Sequence, residues 1–355
     1  MLEKKIKVFL GGYTNYVNAQ NLNCRALAEH LDKRKFGVYT LALYNGQLSD
    51  MPSTAGLKVF KCFRPVRLSQ YLGFLWGIWH CDVAYLPKDD LWKFNRFLLR
   101  LLKKKSFSTI EVILEPVIYH TLLAKHVNRE MFLQSKRYFS RLFSITHYMS
   151  RFNYDVCGLK TENEVLFLGV NAKLSPKTTM VPKLEKVIMI GNDLVRKGIS
   201  DYLELSKSFP DLTFVVVGSG NGQIDIDQEI QKNGIRNVIY KGMLGSAALS
   251  DLLQTVDLHI LPSRSEGFPK VVLETASAGI PSVLYADYGA DEWVENNKNG
   301  WIVNTIAEMA DRIRKLQNEP AMLSAASRSA VELAKTFDWK IKILQWERVI
   351  MDIHE

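Results

Sequence analysis

The chain is poor in cysteine, with four in 355 residues: Cys24, Cys62, Cys81 and Cys157. None of them stands in a CxxC pair. That speaks against a disulfide-stapled secreted scaffold and against a thiolate zinc site, and it fits a reducing, cytoplasmic compartment. Seven histidines are scattered without an HExxH pair, so no metal centre is legible. Long apolar runs are also lacking. The most apolar stretch, "YLGFLWGIW" at 71–79, is far short of the ~20 residues a spanning helix needs. The apolar part of the opening "MLEKKIKVFLGGY" is too short to read as a signal peptide. There is no short repeat and no low-complexity tract.

Acidic residues are scarce in the first half. Residues 1–180 hold 27 Lys and Arg against 13 Asp and Glu, whereas residues 181–355 hold 19 against 24. A basic half asks for an anionic partner: nucleic acid, an anionic membrane surface or a phosphorylated substrate. No nucleic-acid recognition motif accompanies it, so nucleic acid is not expected. Within that half, "DDLWKFNRFLLRLLKKKSF" (89–107) predicts an amphipathic helix. Lys93, Arg96, Arg100, Lys103 and Lys104 recur at three- and four-residue steps, with Trp92, Phe94, Phe97, Leu98, Leu101 and Leu102 between them. Such a helix over 92–105 suits an anionic membrane interface, which would make the protein peripheral on the inner face of the membrane. The bland alternative is a helix that covers the sheet and leaves its basic stripe in water.

Short apolar runs alternate with helical patterns along the whole chain. "KIKVFLGG", "FGVYTLALYN", "CDVAYLP", "IEVILEP", "RLFSITHYMS" and "VLFLGVN" read as strands of a first series. "EKVIMIGN", "LTFVVVGSG", "NVIYKGML", "DLHILPS", "IPSVLYAD" and "GWIVN" read as those of a second. Two such series predict two doubly wound α/β domains with parallel sheets. The Lys- and Pro-rich stretch 171–186 is the expected linker. The expected domains are 1–176, with the helix 337–355 packed back on it, and 177–336. Ligands of such sheets bind at the carboxyl ends of strands, so the loops there matter most.

One of those loops is "SRSEGFPKVVLETASAG" (263–279). It holds two glutamates, Glu266 and Glu274, with seven residues between them. Pro269 suits a first helical position, and the helix start favours a phosphate. Lys270 adds a positive charge and shares a helix face with Glu274. Glu274 then suits ribose hydroxyls one turn beyond a phosphate, and Glu266 the hydroxyls of whatever the phosphate carries. A structural Lys270–Glu274 salt bridge is the plainer alternative. "IDID" offers Asp225 and Asp227 at a spacing known from metal sites, but acidic residues in a first helical turn suit the helix dipole.

The string "PSRSEGFPKVVLETASAGIPSV" resembles the E-x7-E motif of the retaining nucleotide-sugar glycosyltransferases of family four, often called group 1. The resemblance extends over the C-terminal half. "GNDLVRKG" (191–198) is similar to the family's diphosphate loop, with Lys197 and Gly198 on its K-G. Asn192 stands where the family has arginine, and Arg196 is the substitute cation. "VVVGSGNG", with Gly218 and Gly220, resembles the glycine turn beside the nucleotide. Gly242 in "YKGML" falls beside the base, and Glu292 on a further acidic position. In the first half, Gly11 and Gly12 lie where the family has its acceptor loop, and Asn171 lies at a usual aspartate. A histidine is expected after the strand matching "IEVILEP". Glu115 and Pro116 occupy that place, so His120, Glu115 and His147 are the candidates.

The resemblance implies a GT-B fold. It implies a nucleotide-diphosphate sugar as donor and a lipid-linked or saccharide acceptor, with no cofactor and no metal. Arg196, Lys197 and the helix start at Phe268, Pro269, Lys270 and Val271 would meet the departing diphosphate. Glu274 would hold the ribose, and Glu266 with the Gly267 and Phe268 backbone the sugar. The other readings are a nucleotide-sugar epimerase on the same fold and a non-catalytic subunit.

Overall fold

The computed structural model describes residues 5–47, 56–88, 91–116, 128–171 and 183–355. The chain divides into two compact units. Unit 1 is Met1–Gly169 with Trp339–Glu355, and unit 2 is Val170–Asp338.

Unit 1 is built on a six-stranded parallel sheet: β1 (Ile6–Tyr13), β2 (Phe36–Ala42), β3 (Leu57–Lys61), β4 (Val83–Tyr85), β5 (Lys105–Ile110) and β6 (Arg141–Ser144). The order across the sheet is β3-β2-β1-β4-β5-β6. Its described helices are α1 (Ala19–His30), α2 (Val66–His80), α3 (Trp92–Leu101), α4 (Arg129–Gln134), α5 (His147–Cys157) and the returning α12 (Trp339–His354). Asn18 caps α1 by accepting from the Gln20 and Asn21 amides. Asn128 and Thr146 do the same for α4 and α5, each satisfying donors that a helix start leaves over. Glu347 holds α12 in place. It is buried and accepts from the Asp32 amide at 2.8 Å. The Trp346 indole donates to the Phe167 carbonyl at 3.1 Å and packs edge-on to Tyr85.

Three expectations for this unit are corrected. "IEVILEP" is not a strand: β5 ends at Ile110 and the apolar run is the loop beyond it. The strand is "KSFSTI", whose hydroxyls are met locally, as when Ser108 donates to the Leu86 carbonyl at 2.7 Å. The basic helix stops at Leu101, because Lys105 already pairs with Val83 of β4. Lys93, Arg96 and Arg100 therefore belong to α3, whereas Lys103, Lys104 and Lys105 do not. "VLFLGVN" is not a strand of the sheet: the Leu166 amide donates to the Ser144 carbonyl just past β6, and Val170 forms an isolated bridge to Asp338. The sequence pattern also missed β3 and α2 as elements.

Unit 2 repeats the plan with β7 (Lys186–Gly191), β8 (Thr213–Gly218), β9 (Val238–Tyr240), β10 (Leu258–Leu261), β11 (Ser282–Tyr285) and β12 (Gly300–Val303), in the order β12-β11-β10-β7-β8-β9. Helices α6 (Ile199–Lys207), α7 (Ile226–Lys232), α8 (Ser246–Leu253), α9 (Lys270–Ser277), α10 (Ile306–Asn318) and α11 (Pro320–Thr336) cover it. One face packs Val187, Met189, Phe214, Val216, Leu258 and Ile260 against α6 and α10; the other packs Ile188, Val215 and Val217 under α8. Alternate residues of each strand thus go to opposite layers, as the period of a strand buried on both faces requires. The two parallel, doubly wound sheets are the GT-B plan.

Candidate functional site

In unit 2 the chain lays down β7, β8 and β9 in one direction, then places β10 on the other side of β7. The carboxyl ends of β7 and β10 therefore flank the point where strand order reverses, the usual ligand crevice of such sheets. The loops leaving those two strands meet there. Lys197, after β7, donates to Glu266, after β10, at 2.9 Å, and both side chains are nearly buried. Arg196 lies 3.5 Å from the other Glu266 oxygen and donates to the Ser265 carbonyl at 2.6 Å. Ser263 closes the loop by donating to the Arg196 and Ser265 carbonyls.

Glycine makes room for this. A Cβ at Gly191 would fall 2.1 Å from Lys197 Cδ, so the lysine crosses the end of β7 only because no side chain stands there. Gly218 has φ +136°, and a Cβ on it would fall 1.7 Å from the Gly191 carbonyl oxygen. The ends of β7 and β8 can approach each other this closely only with glycine at that backbone angle. The Gly218 amide donates to the Gly242 carbonyl. Gly220 lies in the turn after β8, and Asn192 is exposed in the loop after β7.

Helix α9 begins just past Glu266, and Pro269 at its start provides no side-chain cap. The amide end of such a helix is a natural anion site. Phe268 fixes the approach, edge-on to Trp293 at 5.3 Å. Lys270, Val271 and Glu274 follow on α9. The Glu274 side chain is open to solvent, yet protein atoms crowd it strongly enough to raise its carboxyl above the usual range, with Lys270 and then Lys197 pulling it back down. The lysine charge also reaches His259 on β10. Burial first, and Lys197 second, lower that imidazole to about 3, and its Nδ1 meets the Ser282 hydroxyl at 2.9 Å.

The His259 shift carries an expected outcome. A histidine depressed in the folded state stabilises the protein fully above its ordinary value of 6.5. That contribution is lost as pH falls from there towards 3. The melting temperature should therefore drop across this window, and less steeply in His259→Gln. Parallel pH profiles for parent and variant would show that His259 is not the group responsible.

Asp225 has a structural occupation. It caps α7, accepting from the Gln228 amide at 3.1 Å, and Asp227 sits in the first turn. Glu292 ends a short 3-10 turn, Ala290–Glu292.

In unit 1, Gly11 and Gly12 are buried at the end of β1, where a Cβ would meet Leu86 and Cys24 respectively. His120 lies outside the described residues. Glu115 is half-buried in the loop after β5, and His147 is the exposed first residue of α5; Asn171 belongs to unit 2 and ends the segment described before residue 183.

The structure puts a different carboxylate at the carboxyl end of β5. Glu111 is the residue directly after β5. It accepts from Asn23 at 2.8 Å, from Thr109 at 2.9 Å and from Tyr85 at 3.2 Å. It lines a recess of about 110 Å³ with Gln20, Pro87 and Lys136. Placing the strand one element-length too late hid it. The signal available was the hydroxyl-rich alternation of "KSFSTI" just before an isolated acid.

The model of the family described as glycosyl transferases group 1 matches residues 171–332. Alpha-galactosylglucosyldiacylglycerol synthase of Streptococcus pneumoniae is 25% identical over 276 residues, covering 74% of this chain and 68% of that protein. Glycogen synthase of Mycobacterium tuberculosis is 29% identical over 189 residues, 50% of this chain and 46% of that one, so the match spans about half of that relative. Among solved structures, Anabaena HepE in complex with UDP-glucose superposes with a TM-score of 0.78 at 16% identity, over 98% of this chain and 99% of that one. At that identity the likeness concerns the fold.

Proposed function

From the premise that this chain is a group 1 glycosyltransferase with the GT-B fold, we propose that unit 2 binds a nucleotide-diphosphate sugar and unit 1 its acceptor. The acceptor is a lipid-linked or saccharide hydroxyl, and the anomeric configuration is retained. The observation that carries the reading is the Lys197–Glu266 pair at the switch point of unit 2, beside an uncapped helix start. When the bond from the anomeric carbon to the phosphate oxygen breaks, negative charge collects on the departing diphosphate. Lys197, Arg196 and the α9 amides are the groups placed to meet it, and preorganised charge of this kind is usually the largest catalytic contribution. Glu266 takes a sugar hydroxyl, Glu274 the ribose hydroxyls, and Glu111 orients an acceptor hydroxyl. With two cations and a helix start for the diphosphate, the reaction needs no metal.

The S. pneumoniae relative is named for a glycolipid, which supports a lipid acceptor here. HepE was solved with UDP-glucose, which makes uridine donors the first to try. Among the described residues no helix is long and apolar enough to cross a membrane, so access to a lipid acceptor is proposed to be peripheral, with the α3 cations at the surface.

The test is a thermal-shift series with nucleoside diphosphates and nucleotide sugars, with and without EDTA. A ligand at a hundred times its Kd stabilises by about 2.7 kcal/mol. A clear rise that EDTA leaves unchanged is expected for at least one donor. No rise with any donor at millimolar concentration contradicts the reading. The best donor is then incubated with and without acceptors: an altered sugar formed without acceptor would make the chain an epimerase instead.

A further inference from the structure

Helix α2 is arranged inside out for a helix in water. The face it turns to the sheet is made largely of small residues, with Ser69, Gly73 and Gly77 buried beside Phe74 and Ile78. A Cβ on Gly77 would stand 2.2 Å from the Phe9 ring, and one on Gly73 would stand 3.0 Å from Leu41. The glycines therefore fix which face seats on β1 and β2. The opposite face, at three- and four-residue steps, presents Leu68, Tyr71, Leu72, Leu75 and Trp79, all exposed. Trp79 is 61% exposed and Leu68 53%.

The surface continues onto α3. Tyr71 meets Phe94 edge-on at 4.9 Å, and Phe97 and Leu101 are 61% and 63% exposed. Beside them runs a groove of about 680 Å³ whose walls include Trp92, Lys93, Arg96 and Arg100. The charge along this segment is predominantly positive. Residues 57–105 contain eleven Lys and Arg against three Asp and Glu, and Lys58, Lys61, Arg64, Arg67, Lys93 and Arg100 are exposed.

We propose that α2 is a membrane-inserting wedge: its Leu68–Trp79 stripe enters the acyl boundary of an anionic bilayer while the surrounding cations bind lipid phosphates. An apolar stripe rimmed by cations is the pattern of an interfacial helix. The rim of a protein–protein contact carries no such requirement for positive charge. The proposal adds to α3 electrostatics an apolar anchor that salt does not remove, and it does not depend on the donor site.

The test uses the full chain without donor, on vesicles of phosphatidylcholine alone and of phosphatidylcholine with phosphatidylglycerol. The parent should sediment with the anionic vesicles, and a fraction should remain bound in high salt, where surface charge is screened. Leu68→Glu with Trp79→Glu changes two exposed positions and should keep the parent circular dichroism and melting temperature. Its vesicle binding should fall by about 100-fold, the scale of losing the burial of two large apolar side chains. Arg96→Glu with Arg100→Glu should lower binding to anionic vesicles but spare the salt-resistant fraction. Brominated acyl chains should quench parent fluorescence more than that of Trp79→Phe. The proposal is overturned by a folded Leu68→Glu, Trp79→Glu protein that binds as the parent does. Absence of parent binding at low salt overturns it too. So does a parent dimer that ignores vesicles and falls apart with the same substitutions, for then a second copy covers the stripe.

Discussion

Replacing Lys197 with methionine is expected to lower kcat by roughly 100- to 1,000-fold, the cost of removing one preorganised donor to a developing anion. The same change leaves Glu266 nearly buried beside Arg196 alone, the more distant and more exposed of its two cations. Breaking a buried pair from one side costs about 3–5 kcal/mol of stability. Loss of activity could then reflect misfolding, so a second variant is needed. Lys197→Met with Glu266→Gln removes the uncompensated charge and should recover most of the melting temperature. Turnover should not recover, because the proposed roles of Lys197 at the diphosphate and Glu266 at the sugar are both lost. If the pair were merely structural, the double variant would regain activity along with stability. Assays of parent, both single variants and the pair form a cycle that separates the two roles.

Glu274→Gln should act on binding rather than on folding. Protein atoms crowding Glu274 raise its folded-state pKa above its ordinary value, although the side chain opens on solvent. The native chain therefore holds this proton longer than the unfolded chain does. Its favourable contribution is present at low pH and is lost as pH rises through the raised pKa. At neutral pH the charged carboxylate works against folding, so the neutral amide should leave the melting temperature level or raise it. Hydrogen bonds to a charged group contribute about 1.5–3 kcal/mol. Affinity for the nucleoside diphosphate should accordingly fall roughly ten- to a hundredfold. A structural Lys270–Glu274 bridge makes the opposite forecast: lower stability with affinity kept. Calorimetric titration and a melting curve on one sample decide between them.

The strand–loop–helix alternation was legible because fully buried parallel strands are nearly continuous apolar runs. "TFVVVG" and "LHIL" became β8 and β10 where their runs stand. The same rule misled at β5. Its Ser108 and Thr109 are buried but donate to the Leu86 carbonyl and to Glu111, so a hydroxyl-rich segment became the strand and "EVILEP" the loop. With β5 ending at Ile110, Glu111 rather than Glu115 follows the strand. Helix α3 was overextended because its stripe of cations runs on in sequence after the backbone has turned at Lys103, where φ is +50°. The apolar wealth of 71–79 was visible, but its direction was not. Only the packing of Gly73 and Gly77 shows that the large side chains face outward. In unit 2 the Glu266–Glu274 string is local and readable. The meeting of Lys197 with Glu266, 69 residues apart, depends on β7 and β10 lying side by side, which no local pattern states.

The central claim is that the switch point of unit 2 is a nucleotide-diphosphate site centred on Lys197. Titration of UDP into the full chain and into the Lys197→Met, Glu266→Gln pair, both in EDTA, tests it most directly. Saturable heat with the parent and at least a roughly tenfold weaker response with the pair, at matched melting temperatures, is the predicted result. Equal binding by both proteins would contradict the account.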